Sequence, residues 1–264
     1  MKLSNIPLML RERGLAGSIG HAAALLLPRS DLRRIDALSL VDGKVGLEIG
    51  GPSPAFARGA VFPAYLAAAR IDNCNFAAAT VWGDNAEGQT FRFNPRRAPG
   101  VQFTAEAADL GVADSSYDFV LSSHMIEHSA NPLKALREWR RVLKPGGALI
   151  LVAPHKDGSF DHRRPVTALD HIIEDFEREV DETDATHVAE VLELHDLDRD
   201  PDSGGAESFR ARTLQWRDNR ALHHHVFDTH LAAVMVAQAG FRLLRVERQG
   251  SLDILVVATK PAAD

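Results

Sequence analysis

The sequence predicts an α/β protein: a doubly wound, mostly parallel sheet of seven strands ending in an antiparallel hairpin. Helices precede the sheet, and a helical cap is inserted after the fifth strand. Three observations carry this. Five short apolar runs alternate with helix-forming stretches, the pattern of parallel strands joined by crossovers. Two more apolar runs near the C-terminus are separated only by Gln249-Gly250-Ser251, whereas a parallel crossover needs about a dozen residues, so these two must pair antiparallel. Residues 155–227, between the two groups, show helical periodicity and nothing strand-like.

In chain order, residues 1–43 mix Leu and Ile with Arg at helical spacing, broken by glycines and Pro28, and predict an N-terminal helical segment. A core follows over 44–154, with strands at VGLEI (45–49), ARID (69–72), VQFTAE (101–106), YDFVLSS (117–123) and ALILVAP (148–154). The helix before the fifth strand is the best marked. Asn131 is its N-cap, Pro132 suits its first turn, and Leu133, Leu136, Arg140 and Leu143 form a stripe that Lys144-Pro145-Gly146-Gly147 ends. In the cap, residues 155–227, one helix places Leu169, Ile172, Ile173 and Phe176 on a face. A second does so with Val188, Val191, Leu192 and His195. The stretch 228–264 completes the core with a helix over 228–239 and strands at 241–248 and 252–259.

Composition narrows the class. The chain has 264 residues, 45% hydrophobic and 25% charged, as in an ordinary globular protein of one substantial domain or two small ones. A net charge of −6 argues against a grip on the nucleic-acid backbone, which needs a basic face. Cys74 is the single cysteine, so neither an intramolecular disulfide nor a multi-cysteine zinc site can form, which fits a reducing cytoplasm. The apolar run HAAALLLP is too short to span a bilayer, and no membrane partner is expected. Twelve histidines are the one oddity.

Two stretches point to a ligand. In LEIGGPSP, Gly50 and Gly51 directly follow a strand, where glycine lets the backbone approach a ligand closely. The third glycine of a dinucleotide fingerprint is missing, and Pro52 and Pro54 delay the helix that would hold a pyrophosphate. Glu48, inside the strand, favours a ligand carrying positive charge. Asp72, ending the second strand, suits a ribose diol, with an exposed loop acid as the ordinary reading.

The run EAADLGVADSSYDFVLSSHMIEHSANPLKALREWRRVLKPGGALILVAPH resembles the core of the class I S-adenosylmethionine-dependent methyltransferases. The shared features are an acid-x-x-acid-Leu stretch, a Ser-aromatic-Asp strand, a Glu-His pair and a helix ending Leu-Lys-Pro-Gly-Gly. The resemblance covers residues 45–155, and the terminal hairpin matches the family's antiparallel seventh strand. It implies a Rossmann-like fold, S-adenosylmethionine as cofactor and S-adenosylhomocysteine as product. It places Glu48, Gly50 and Gly51 at the methionine end, Asp72 on the ribose, Glu106 at the adenine amino group and Ala107 beside the ring. Ser122, Ser123 and His124 fall near the sulfonium methyl. Glu127-His128 is expected to orient the following helix and Asp118 to brace the sheet. The chain departs from the family in its stiff first motif, and in a long Gly-, Asn- and Pro-rich stretch over 73–100.

An oxygen acceptor must lose a proton, so the histidines matter. PHKDGSFDHRRP offers His155 or His162 as base, with Arg163 and Arg164 to clamp an anionic group; a polar, hydrogen-bonded loop is the equally weighted alternative. His223-His224-His225 is one run pointing alternately, no HExxH occurs, and ordinary hydrogen-bonded histidines without a metal are expected. The leading expectation is methyl transfer to oxygen or nitrogen of a polar, sugar-like or anionic small molecule. The alternatives are a regulatory or partner subunit that binds the cofactor without catalysis, and a protein or nucleic-acid methyltransferase. Net charge, and Ser-Ser-His-Met where an amino-group motif would stand, disfavour the last.

Overall fold

In the computed structural model, residues 37–84 and 86–262 are described; the predicted helices of the N-terminal segment lie outside them, apart from one 3-10 turn at Ala37–Leu40. The strands are β1 (Val45–Ile49), β2 (Arg70–Asn75), β3 (Ala79–Thr80), β4 (Gly83–Asp84), β5 (Gly88–Phe91), β6 (Gly100–Thr104), β7 (Tyr117–Ser123), β8 (Leu143–Pro154), β9 (Arg242–Gln249) and β10 (Asp253–Thr259). The helices are α1 (Ala64–Ala67), α2 (Pro132–Val142), α3 (Leu169–Glu177), α4 (Val188–Leu194), α5 (Ala206–Leu214), α6 (Trp216–Asn219) and α7 (Thr229–Gln238).

The main sheet runs β5-β6-β2-β1-β7-β8-β10-β9. From β6 to β8 all pairs are parallel, and β10 and β9 add antiparallel, as the short Gln249–Ser251 link requires. The strand order reverses beside β1, where β2 and β7 flank it, and ligands of open α/β sheets bind at such a switch point. One strand exceeds the predicted seven: β5 pairs antiparallel with β6 at the sheet edge, and β3 and β4 form a separate small hairpin. Both come from the 73–100 stretch, whose Gly- and Asn-rich composition hides strand periodicity.

Alternating residues of the central strands feed two cores. Leu149, Leu151 and Ala153 face α2 and α7, whereas Ile150 and Val152 face Phe56, Tyr65 and Phe119. Each Leu, Ile, Val or Phe among them, taken fully from water, contributes about 1.5–3 kcal/mol before chain entropy is subtracted. Helix α2 is capped as its sequence predicts, the Asn131 side chain accepting from the Lys134 amide at 3.0 Å. Its buried stripe includes Leu133, Leu136, Trp139 and Val142; Arg140 turns outward to the Gly240 carbonyl. Asp228 caps α7, accepting from the Leu231 amide at 2.7 Å.

Between β8 and α7, the 155–227 segment carries α3 to α6. Its last stretch returns to the core in extended form. The His224 amide donates to the Glu127 carbonyl at 2.8 Å, and the Lys156 and Thr167 amides donate to the Phe227 and Val226 carbonyls. Arg164, wholly buried, donates to Asp161 and to the carbonyls of His223 and His224. No described helix is long and apolar enough to cross a membrane.

Candidate active site

At the C-terminal ends of β1, β2 and β7 lies a cavity of about 520 Å³, within the usual range for small-molecule sites. Its floor is the turn after β1. Gly50 has φ +79°, a conformation open to glycine, and a Cβ there would meet Met125 at 3.0 Å. The opposite wall is the Glu106–Leu110 turn, pinned from α2. The buried Trp139 indole donates to the Ala107 carbonyl at 2.9 Å, and Glu138 accepts from the Leu110 amide at 2.8 Å. Amphipathic packing of α2 thereby fixes Glu106 and Ala107 at the cavity edge.

Several predicted residues line this cavity: Gly50, Gly51, Glu106, Ala107, Ser123 and His124. Others stand elsewhere. Glu48 is buried beneath the loop, accepting from the Tyr65 hydroxyl at 2.7 Å and the Ser53 amide at 2.9 Å. Burial raises its pKa to about 8 against the lowering effect of those donors. It stitches the Gly50–Pro54 loop to Tyr65 and does not line the cavity. Asp72 is likewise turned into the protein, taking the Val101 amide at 2.9 Å, Arg70 at 2.8 Å and the Tyr117 hydroxyl at 3.1 Å. The strand continues three residues beyond the predicted end, so Asn75, not Asp72, reaches the cavity. Ser122 points into the sheet core, because successive strand residues alternate and Ser123 takes the cavity side.

The two loop histidines are also displaced. His155 caps a 3-10 turn, its Nδ1 accepting from the Asp157 amide at 3.2 Å. His162 pairs through Nε2 with Asp196 at 2.7 Å. Neither lines the cavity, and Arg164 is consumed by the buried contacts described above. His124 does line it. Its Nε2 lies 2.8 Å from Asp253 and its Nδ1 3.6 Å from Glu127. Burial alone would lower its pKa, but the Asp253 hydrogen bond and the Glu127 charge outweigh this and raise it.

Three contributors escaped the sequence reading. Arg220, at φ +54° after α6, reaches Glu106 at 2.8 Å and Glu182 at 3.4 Å across the cavity edge. Trp82, on the β3–β4 hairpin, meets the His128 ring edge-on at 5.2 Å and lines the cavity with Phe76. His128 itself is a lining residue, although a helix-orienting role was expected of it. An isolated Arg or Trp in a loop carries no periodicity, so nothing in the linear sequence marks these.

Sheet order and switch-point cavity define the class: a doubly wound, Rossmann-like α/β domain. Residues 59–151, about a third of the chain, match the profile of a family described as "Methyltransferase domain". Part of the chain is similar to curated demethylmenaquinone methyltransferases. It is 42% identical over 57 residues to that of Paenarthrobacter aurescens, which is 21% of this chain and 22% of the relative. It is 44% identical over 57 residues to that of Renibacterium salmoninarum, 21% of this chain and 24% of the relative. The matched stretch thus spans under a quarter of the length of either relative. Among solved structures, an S-adenosylmethionine-dependent methyltransferase from Mesorhizobium loti superposes with TM-score 0.48 at 13% identity, covering 93% of this chain and 98% of that one. One from Aquifex aeolicus gives 0.46 at 14% identity, covering 91% and 98%.

The cavity suits the cofactor of this family on its own chemistry. Glu106, Asp84 and Glu182 are acceptors for an amino group, hydroxyls and an ammonium; Ile49, Phe76 and Ala107 supply apolar walls; and Gly50 leaves room at the strand end.

Proposed function

We propose that this chain transfers a methyl group from S-adenosylmethionine to an oxygen or nitrogen of a polar small molecule, with His124 as the proton acceptor. The observation that carries the reading is a single cavity lined by the Gly50–Gly51 turn, Glu106 and His124 together. When bound, S-adenosylmethionine supplies an electrophilic methyl on a sulfonium, and its loss to a nucleophile leaves S-adenosylhomocysteine. Gly50 and Gly51 give the ligand close access to the backbone, Glu106 and Ala107 hold its adenine end, and Asn75 takes the strand-end position expected of Asp72. Arg220 and Trp82 line the cavity, Arg220 held at its edge by Glu106.

His124 is built for proton transfer. Asp253 accepts from its Nε2–H, leaving Nδ1 as the basic nitrogen, and the carboxylate stabilises the imidazolium once the acceptor's proton arrives. A left-handed backbone, φ +49°, and its amide bond to the Val152 carbonyl at 2.9 Å fix the residue where β7 ends.

Calorimetric titration with S-adenosylhomocysteine, followed by cofactor turnover in metabolite extracts, tests the reading. Wild type is expected to bind and turn over, while His124→Gln keeps the affinity and loses roughly 100-fold or more in rate. Absence of binding removes the cofactor assignment. Binding without turnover in any extract favours the non-catalytic module, and full activity in His124→Gln displaces the base.

A further inference from the structure

Three side chains behind the His128 wall of the cavity have an arrangement that the transfer reading leaves unexplained. Glu127 is completely buried, and neither carboxylate oxygen has a hydrogen-bond partner among the described residues. A buried carboxylate without donors costs several kcal/mol, and such groups are retained where something of opposite charge joins them. The nearest polar neighbours are imidazoles. Glu127, His128 and His223 each place one potential ligand atom so that all three lie within 4.8 Å of one another.

Both imidazoles are already oriented through their other nitrogen. His128 Nδ1 lies 3.2 Å from the Leu222 carbonyl and so carries the proton, which leaves Nε2 as a lone pair. His223 Nδ1 lies 2.5 Å from Asp161, and its Nε2 is again the free nitrogen. Asp161 is held in turn by Arg164 at 2.9 Å. A carbonyl or carboxylate behind each histidine is the arrangement that orients metal-bound imidazoles. The backbone makes the meeting obligatory, since the His224 and His225 amides both address the Glu127 carbonyl.

We infer that Glu127, His128 and His223 form a binding site for a divalent first-row transition metal at the wall of the cavity. One carboxylate and two imidazoles suit zinc, iron(II), cobalt(II) or manganese(II), and with no thiolate and few oxygens they suit copper(I) and magnesium less. Ligand bonds of about 2.0–2.2 Å at tetrahedral angles set donor atoms about 3.3–3.6 Å apart, so a closing of the triad by up to about 1.5 Å completes the site. Its purpose rests on the methyl-transfer reading: a Lewis acid beside His124 lowers the pKa of an acceptor hydroxyl and orients it. The acceptor class is thereby an alcohol, phenol or enol rather than an amine.

The full-length protein, stripped with chelator and re-equilibrated with zinc, should retain one ion per chain at this site. Its X-ray absorption should show two imidazoles and oxygen ligands, a readout that needs no variant. Glu127→Gln and His128→Asn, checked for native melting, should each weaken zinc affinity at least about 10-fold, as even indirect support residues do. His187→Asn is the comparator, because His171, His187 and His225 form a second histidine cluster. Zinc that survives Glu127→Gln and is lost in His187→Asn overturns the assignment, as does a stripped protein that takes up none. Titration of S-adenosylhomocysteine into the same samples separates the two ideas: cofactor bound without zinc removes only the metal site, and zinc bound without cofactor removes only the transfer reading.

Discussion

Glu48 shows how far a single side chain can depart from the role its motif implies. An acid in a glycine-rich strand end reads as a ligand contact, but here its oxygens serve Tyr65 and Ser53. Its pKa of about 8, raised from the ordinary 4.5 by burial, makes a signed prediction. Between those values the folded chain holds a proton that the unfolded chain has released, so its contribution to stability is full below about pH 4.5 and is lost as pH rises through about 8. Glu48→Gln should flatten that part of the stability–pH curve, measured by urea denaturation at several pH values. Tyr65→Phe should cost about 1–3 kcal/mol in the same assay, because it removes a hydrogen-bond partner of the buried Glu48 carboxyl group. On the ligand side, Glu106→Ala should weaken S-adenosylhomocysteine binding about 10-fold or more by calorimetry, the size of a lost charge-assisted hydrogen bond.

Helix α2 links sequence to site most directly. Its cap, first-turn proline and apolar stripe were all legible, and they place Trp139 and Glu138 where they pin the Glu106 turn. Asn131 also donates to the carbonyls of Asp175 and Val180, tying α2 to the end of α3. Asn131→Ala should therefore lose about 1–2 kcal/mol, read from the melting temperature. The parallel strands were legible because apolar runs bounded by turn residues survive in one dimension. The reach of β2 was not, because Asn73, Cys74 and Asn75 do not resemble strand residues although the first two are fully buried. Asn73 is satisfied there by Gly51 and Gln102, partners 22 and 29 residues away that no local pattern reveals. Gly100 is another such case. A Cβ on it would meet the Ile71 carbonyl at 1.7 Å, so Gly100→Ala should force β6 away from β2 and lower stability by about 1–3 kcal/mol or more.

At the scale of the whole molecule, the cap is joined to the core by charge. Arg220 lies between Glu106 of the core and Glu182 of the cap, and it also stands over the Phe76 ring at 5.6 Å. These partly exposed pairs are individually weak, so Arg220→Met should speed ligand release by up to about 5-fold in stopped flow and leave the fold intact. Two of the cap's helices, α3 and α4, were foreseeable from periodicity, whereas α5, α6 and the cap's contacts were not; His223 and His225, for instance, reach two different side-chain clusters from one run. Arg164 carries a consequence for how this molecule comes apart. Its guanidinium, sealed between Asp161 and the carbonyls of His223 and His224, has no water to fall back on. Those partners all lie within the 155–227 segment itself, so the buried charge ties the segment's entry to its exit, and parting the two ends would cost several kcal/mol. The segment's two ends are therefore held to each other: a protease nick between residues 165 and 222 should leave the pieces joined, recovered together by gel filtration under native conditions.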